Sequence, residues 1–293
     1  MPGSGRKIST GALGLAFIPP ELRENSGEIE AAEKGRLPHL IGYGDLKGDL
    51  HVHTRWSDGA HTIREMAEAA REQKYEYIAI CDHSAGLAIA HGMTDDKIHK
   101  QAKEVAELNL EMDGITILHG IEANIDRDGN LDVRKDVLAG LDFVVAGVHS
   151  GFRQPEKKMT ERLLTAIHHD HLDMVSHPPT GRLLQRREPY QFNMDSIFEA
   201  AAAAHVLMEI NAFPPTRLDL SDIHSRRART YGVVMGIGTD APPTKPNISN
   251  ILIWASRWPA GDGWRREMCS IPGRLRGGLG RGWNGESSLK SVG

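Results

Sequence analysis

The stretch GDLHVHTRWSDG, residues 48–59, reads as a short strand that runs into a polar turn. His51 and His53 stand two apart, so on a strand both imidazoles point to one side and can reach a common ion. Asp58 follows five residues later in a Ser57-Asp58-Gly59 turn. The same kind of ending recurs downstream. Apolar runs close on Asp82-His83, on Gly120-Ile121-Glu122, on Val148-His149-Ser150, on Ser176-His177-Pro178 and on Gly238-Thr239-Asp240. One further run closes on Glu209 and Asn211, which are polar too.

Outward from these ends, Val- and Ile-rich runs alternate with stretches of helical period. Strands are expected at 48–53, 77–82, 115–122, 143–148, 172–176, 206–211 and 233–239, with helices near 62–74, 94–112, 160–169, 193–204 and 220–231. Thr94 stands at the N-cap position of the second helix, with Lys97 where a capping box would place an acid. The link between the third and fourth strands has room for only a turn of helix. Near-continuous apolar strands separated by helices mean a parallel sheet covered by helices. Seven such units over about 190 residues suit a small closed β/α barrel better than an open sheet, and in such barrels the chemistry belongs at the C-terminal strand ends. No glycine fingerprint follows the first strand, which disfavours a dinucleotide site.

Composition agrees. The 293 residues are 40% hydrophobic and 25% charged, an ordinary globular balance with a formal net charge of -4, which does not mark a general nucleic-acid binder. Two cysteines, Cys81 and Cys269, exclude a disulfide scaffold and fit a cytoplasmic protein; no stretch is long and apolar enough for a membrane span. The chain divides into a turn-rich segment at 1–47, a barrel at 48–245 and an atypical tail at 246–293. That tail holds four of the five tryptophans, Trp254, Trp258, Trp264 and Trp283, amid dense Gly and Arg, and shows no strand or helix period.

Of the 15 histidines, five stand at strand ends with three carboxylates. Borderline divalent ions such as Zn²⁺ and Mn²⁺ accept imidazole nitrogen and carboxylate oxygen together. Eight such groups exceed the needs of one ion and suit two or three, with a carboxylate such as Glu122 bridging a pair. Two ions about 3.5–4 Å apart activate a water and clamp both attacking and leaving oxygens, which hydrolyses phosphate esters without a nucleophilic side chain. Fe²⁺, Co²⁺ and Mg²⁺ are also compatible. His61, His99, His119, His205 and His224 lie in helical stretches or strand starts and are read as structural. His168, His169 and His171 are read as a surface cluster at a helix end.

Jointly these motifs resemble the PHP (polymerase and histidinol phosphatase) superfamily, and most the C-terminal PHP domain of bacterial and archaeal family X DNA polymerases. The segments that carry the resemblance are GDLHVHTRWSDG (48–59), YEYIAICDHS (75–84), GIEANI (120–125), VHSGFRQ (148–154), SHPPTGRLL (176–184) and EINAFPPTRLDL (209–220). Residues 17–38 resemble the linker that joins polymerase to PHP domain, whereas nothing resembles the polymerase palm. The resemblance implies an α/β fold, a distorted (β/α)7 TIM-like barrel, with a trinuclear site: His51, His53, Glu122 and Asp240 on one ion; Glu122, His149 and His177 on a second; Asp58 and His83 on a third. A ninth ligand, a histidine two residues beyond Asp240, is replaced by Pro242, which implies a weakened third site. Back-translation of residues 257–274 in a shifted frame gives a string resembling the family's usual C-terminus, so a frameshift upstream of Arg257, near Pro242-Pro243, is expected.

The resemblance implies a metal-dependent phosphoesterase acting on DNA 3′ ends, as a 3′–5′ exonuclease or 3′-end processing enzyme in DNA repair. Arg153, Arg182, Arg186 and Arg187 follow the fourth and fifth strands and are candidates for gripping a substrate phosphate. Two alternatives stand beside it: a small-molecule phosphatase of the histidinol-phosphate type, and a degenerate, non-catalytic PHP domain. Oligomeric state is not legible.

Overall fold

The structure, a computed structural model, describes residues 13–23, 25, 27–38, 40, 45–178, 189–212 and 220–240. Seven parallel strands, β1 (Gly48–Val52), β2 (Tyr77–Ile80), β3 (Thr116–Asn124), β4 (Phe143–Gly147), β5 (Met174–Val175), β6 (Leu207–Asn211) and β7 (Met235–Gly238), pair in sequence order. Between them run α2 (Ile63–Glu72), α3 (Asp95–Glu111), α4 (Lys135–Leu138), α5 (Glu156–Ile167), α6 (Met194–Ala204) and α7 (Asp222–Thr230), after a short α1 (Glu28–Glu33). The sheet curls into a nearly closed barrel. Its last seam is made by the Asp240 N–H donating to the His51 carbonyl at 2.8 Å, and by Asp49, whose carboxylate accepts from the Thr239 N–H and hydroxyl at 3.0 and 2.5 Å.

Each strand is buried on both faces, which is why the runs read as nearly continuous apolar sequence. One set of side chains, among them Ile78, Ile80, Ile117, Ile121, Val144 and Ile210, packs against the helices. The alternate set faces the lumen, where Leu50, Ala79, Cys81, Leu118, Phe143, Val145, Met174 and Leu207 form an apolar floor. Further along the same faces stand His83, Glu122 and Glu209, so the floor passes directly into polar groups above it. Strand β1 departs from strict alternation. Its register against β2 is irregular between Asp49 and Val52, and a bulge re-phases the side chains. Leu50 can then join the floor while the adjacent His51 also turns inward.

Local signals explain most boundaries. Thr62 caps α2 in a capping box with Glu65, whereas Thr94 stands at the α3 N-cap without a side-chain bond. The expected single turn between β3 and β4 is the four-residue α4. Helix α5 begins at Glu156 rather than 160; Glu156, Lys157 and Lys158 are exposed, so this first turn adds no apolar period to the sequence. Strand β5 has only two residues, since His177 takes a positive φ of 31° and gives its N–H to a side chain instead of the ladder. Ahead of the barrel, a 3-10 turn at Pro20–Leu22 precedes α1. No helix among the described residues is long and apolar enough to cross a membrane. Arg182, Arg186, Arg187, Pro242, Cys269, the expected frame change and the tail at 246–293 lie outside the described residues.

Candidate metal centre

All eight candidate ligands meet at the C-terminal rim of the barrel. Glu122, fully buried on β3, is the hub. Its Oε1 lies 3.0 Å from His177 Nε2 and 3.2 Å from His149 Nε2, and accepts from the Ser176 hydroxyl at 2.8 Å. Its Oε2 lies 2.9 Å from His83 Nδ1, 3.4 Å from His51 Nε2 and 3.7 Å from His53 Nε2. The five imidazoles form a circuit around this carboxylate, with successive ring centroids 4.5–6.4 Å apart. Asp240 approaches His53 Nε2 at 3.0 Å. Asp58, half exposed at the rim, lies 3.8 Å from His83 and 3.9 Å from His53.

Charge and proton placement can be worked out from the partners. Burial opposes protonation of His51, yet the Glu209 and Glu122 carboxylates hold its pKa well above the ordinary imidazole value. His53 is likewise raised against burial, chiefly by its bond to Asp240. Burial alone would raise Glu122, but His83, His149 and His51 pull it well below the usual carboxylate range. His149 Nδ1 meets Asn124 Oδ1 at 2.6 Å, and the Asn124 amide nitrogen donates to Asp132 at 2.7 Å. The amide can therefore only accept from His149, which puts the imidazole proton on Nδ1 and turns the Nε2 lone pair towards Glu122. His51 Nδ1, 2.7 Å from Glu209 Oε1, likewise faces an acceptor and carries a proton.

These contacts leave several buried polar atoms without hydrogen-bond partners. His51 Nε2, His53 Nδ1, His83 Nδ1, His149 Nε2 and Glu122 Oε2 are buried atoms with no hydrogen-bond partner; the close approach of His83 Nδ1 to Glu122 lacks bonding geometry. Buried polar atoms are ordinarily satisfied, and a divalent cation is the partner that nitrogen and carboxylate lone pairs accept together. Three overlapping sets have ligand atoms within 4.8 Å of one another: His51, His53 and Glu122; His53, Asp58 and His83; His83, Glu122 and His149. The residues present fit a cluster of ions. Two of the outer candidates, His177 (φ 31°) and Asp240 (φ 47°), stand in the left-handed region, a strained backbone of the kind that gathers at functional sites.

Several groups that hold the rim together carry no sequence signal of their own. Asp82 accepts from the Thr54 N–H and hydroxyl, the Ser57 hydroxyl and the Gln101 amide at 2.6–2.7 Å, pinning the loop from His53 to Asp58 onto β2. Arg162 of α5 is buried and donates to the Ser150 carbonyl at 3.0 Å and the Ile125 carbonyl at 2.5 Å. It thereby joins the ends of β4 and β3. Arg153 is exposed on the loop between β4 and α5. Among the remaining histidines, His168 is the C-cap of α5 and His119 is buried within β3.

The PHP domain model matches residues 49–213. The chain is 46% identical over 229 residues to the DNA polymerase/3′-5′ exonuclease PolX of Bacillus subtilis, a match over 78% of this chain but only 40% of that protein's length. It is 32% identical over 203 residues to a probable phosphatase of Shewanella oneidensis, covering 66% of this chain and 75% of the relative. Among solved structures, the histidinol phosphate phosphatase of Lactococcus lactis, crystallised with zinc, L-histidinol and phosphate, superposes with a TM-score of 0.51 at 19% identity, over 71% of this chain and 90% of that one. That likeness shows the fold. The strand-end ligand pattern, the barrel that gathers it and the sequence match over more than half of its length agree: the chain belongs to the PHP domain family.

Proposed function

We propose that the chain is a metal-dependent phosphoesterase that trims or processes DNA 3′ ends, with His51, His53, Asp58, His83, Glu122, His149, His177 and Asp240 holding two or three divalent ions, zinc or manganese first. The observation that carries this reading is the ring of five imidazoles around one buried carboxylate, in which His51 Nε2, His53 Nδ1, His83 Nδ1, His149 Nε2 and Glu122 Oε2 are buried with no hydrogen-bond partner. Ions bound there supply an acidified water and a clamp on the phosphoryl oxygens. The chain's own part is to keep the imidazole protons outward on His51 and His149, to leave Asp58 at the open rim, and to shut water out from below with the apolar floor. Arg153 is placed by sequence on the loop directly after His149, where a guanidinium can pair with a substrate phosphate. The Bacillus subtilis relative supports DNA as substrate, because that match is more identical and longer than the match to the Shewanella oneidensis phosphatase. A small phosphate ester is the second reading, favoured by the 90% coverage of the Lactococcus lactis fold.

The test offers the full chain, with added Mn²⁺, a 3′-recessed DNA duplex and, separately, histidinol phosphate. Nucleotide release from the 3′ end, lost in soluble His51→Ala and Glu122→Ala variants, is the expected result. Turnover of histidinol phosphate alone selects the second reading. Full activity in Glu122→Ala removes this cluster from the chemistry, and ions bound without turnover of either substrate mark a non-catalytic domain.

A further inference from the structure

Strand β6 ends on Glu209 and Asn211, polar residues that belong to none of the candidate ligand sets. We propose that Glu209 is a positioning residue of the metal centre, fixing the ring of His51 and the backbone of His177 so that both present their ligand atoms inward. The inference rests on reading the cluster as a metal centre.

Glu209 is fully buried, and both oxygens are committed. Oε1 accepts from His51 Nδ1 of β1, on the far side of β7, at 2.7 Å. Oε2 accepts from the His177 N–H at 2.6 Å, at the point where β5 leaves its ladder, and from Asn211 Nδ2 at 3.1 Å. Asn211 also donates to Asp240 Oδ2 at 3.1 Å. One carboxylate thus touches two candidate ligands directly and a third through its neighbour. Against an acceptor-only group, His51 must carry its proton on Nδ1, which leaves the Nε2 lone pair facing Glu122. Gly238 on the adjoining β7 makes room for the pair: a Cβ there would overlap Glu209 Oε1 and stand 2.5 Å from His51 Cβ. The strand that adds no ligand therefore supplies a brace, and its neighbour is cut back to admit it.

Glu209→Gln separates this role from mere packing, because it keeps the volume while removing the charge and turning one acceptor oxygen into a donor. The His177 N–H is a fixed donor, so the glutamine carbonyl must face it and the amide nitrogen must face His51 Nδ1. His51 then has to accept on Nδ1 and carry its proton on Nε2, the atom meant for the ion. Zn²⁺ affinity of the full chain, measured by competition with a chromophoric chelator, should fall about 10–100-fold, as for other orienting partners of metal ligands, with native circular dichroism retained. Long-range ¹H–¹⁵N correlation on zinc-loaded wild type gives a readout that needs no variant, and should show His51 protonated at Nδ1 and coordinated through Nε2. Glu209→Gln binding zinc within twofold of wild type, or wild-type His51 protonated on Nε2, overturns the role of Glu209 while leaving the metal centre standing. Wild type that binds no zinc overturns both.

Discussion

Gly147, the last residue of β4, faces the site where there is no space for a methyl group. A Cβ built there would overlap Ser176 Oγ and lie 2.9 Å from His177 Cε1 and 3.0 Å from His149 Cε1. Ser176 Oγ cannot move without cost, because it donates to the buried Glu122 carboxylate at 2.8 Å. For Gly147→Ala, overpacking costs about 2 kcal/mol and the lost bond to a charged acceptor about 2 kcal/mol more. Replacing glycine in a strand returns roughly 0.5–1 kcal/mol, so a net loss of about 3 kcal/mol is expected. Ser176→Ala alone forfeits the bond and should cost about 2 kcal/mol. The two changes share one clash, so they must not add. The double variant should cost about 2–3 kcal/mol, no more than Gly147→Ala alone, instead of the roughly 5 kcal/mol of independent sites. Urea unfolding of the metal-free chain followed by circular dichroism measures all four states of this cycle. An additive double variant, or a Gly147→Ala cost below about 0.5 kcal/mol, would refute the geometry assigned to this corner of the site.

Two further expectations follow from buried polar groups. Asp82→Ala strands four donors and should cost about 3 kcal/mol in urea unfolding, while Asp82→Asn should cost less than half of that. The Gln101 amide, whose oxygen has no partner, can turn to receive the new amide nitrogen; equal losses in the two variants would disprove the network. His119 is pushed down to about 4 by burial, from an ordinary 6.5. The unfolded chain takes up this proton first as pH falls, so stability drops through that window, by about 2 kcal/mol between pH 7 and pH 5. His119→Leu should remove that share of the pH dependence, and an unchanged difference between wild type and variant at the two pH values would exclude His119 as its source.

The parallel barrel and the gathering of the candidate ligands at one rim were open to reading because two local signals coincide. Strands buried on both faces show as apolar runs, and each run stops where its chain emerges at the reactive end. His51, His83, Glu122, His149 and Asp240 are each the first polar or acidic side chain at such a stop, or adjacent to it, so a one-dimensional pattern already sorts them onto one rim. The short α4 was legible from the length of its link. The start of α5 was not, since three exposed residues carry no period.

What the order of residues could not convey is which distant groups turn towards each other once the sheet closes. Glu209, Asp82 and Arg162 look like ordinary polar residues of a strand, a strand end and a helix, and their partners lie up to 158 residues away in the chain. Hydrogen-bond direction depends on angles and distances that only closure of the barrel sets, and so do the imidazole proton positions that follow from it. The same holds for the space denied to a methyl group at Gly147 and Gly238. Periodicity records how each segment partitions between water and core. The rest is a matter of convergence, which a linear pattern does not encode.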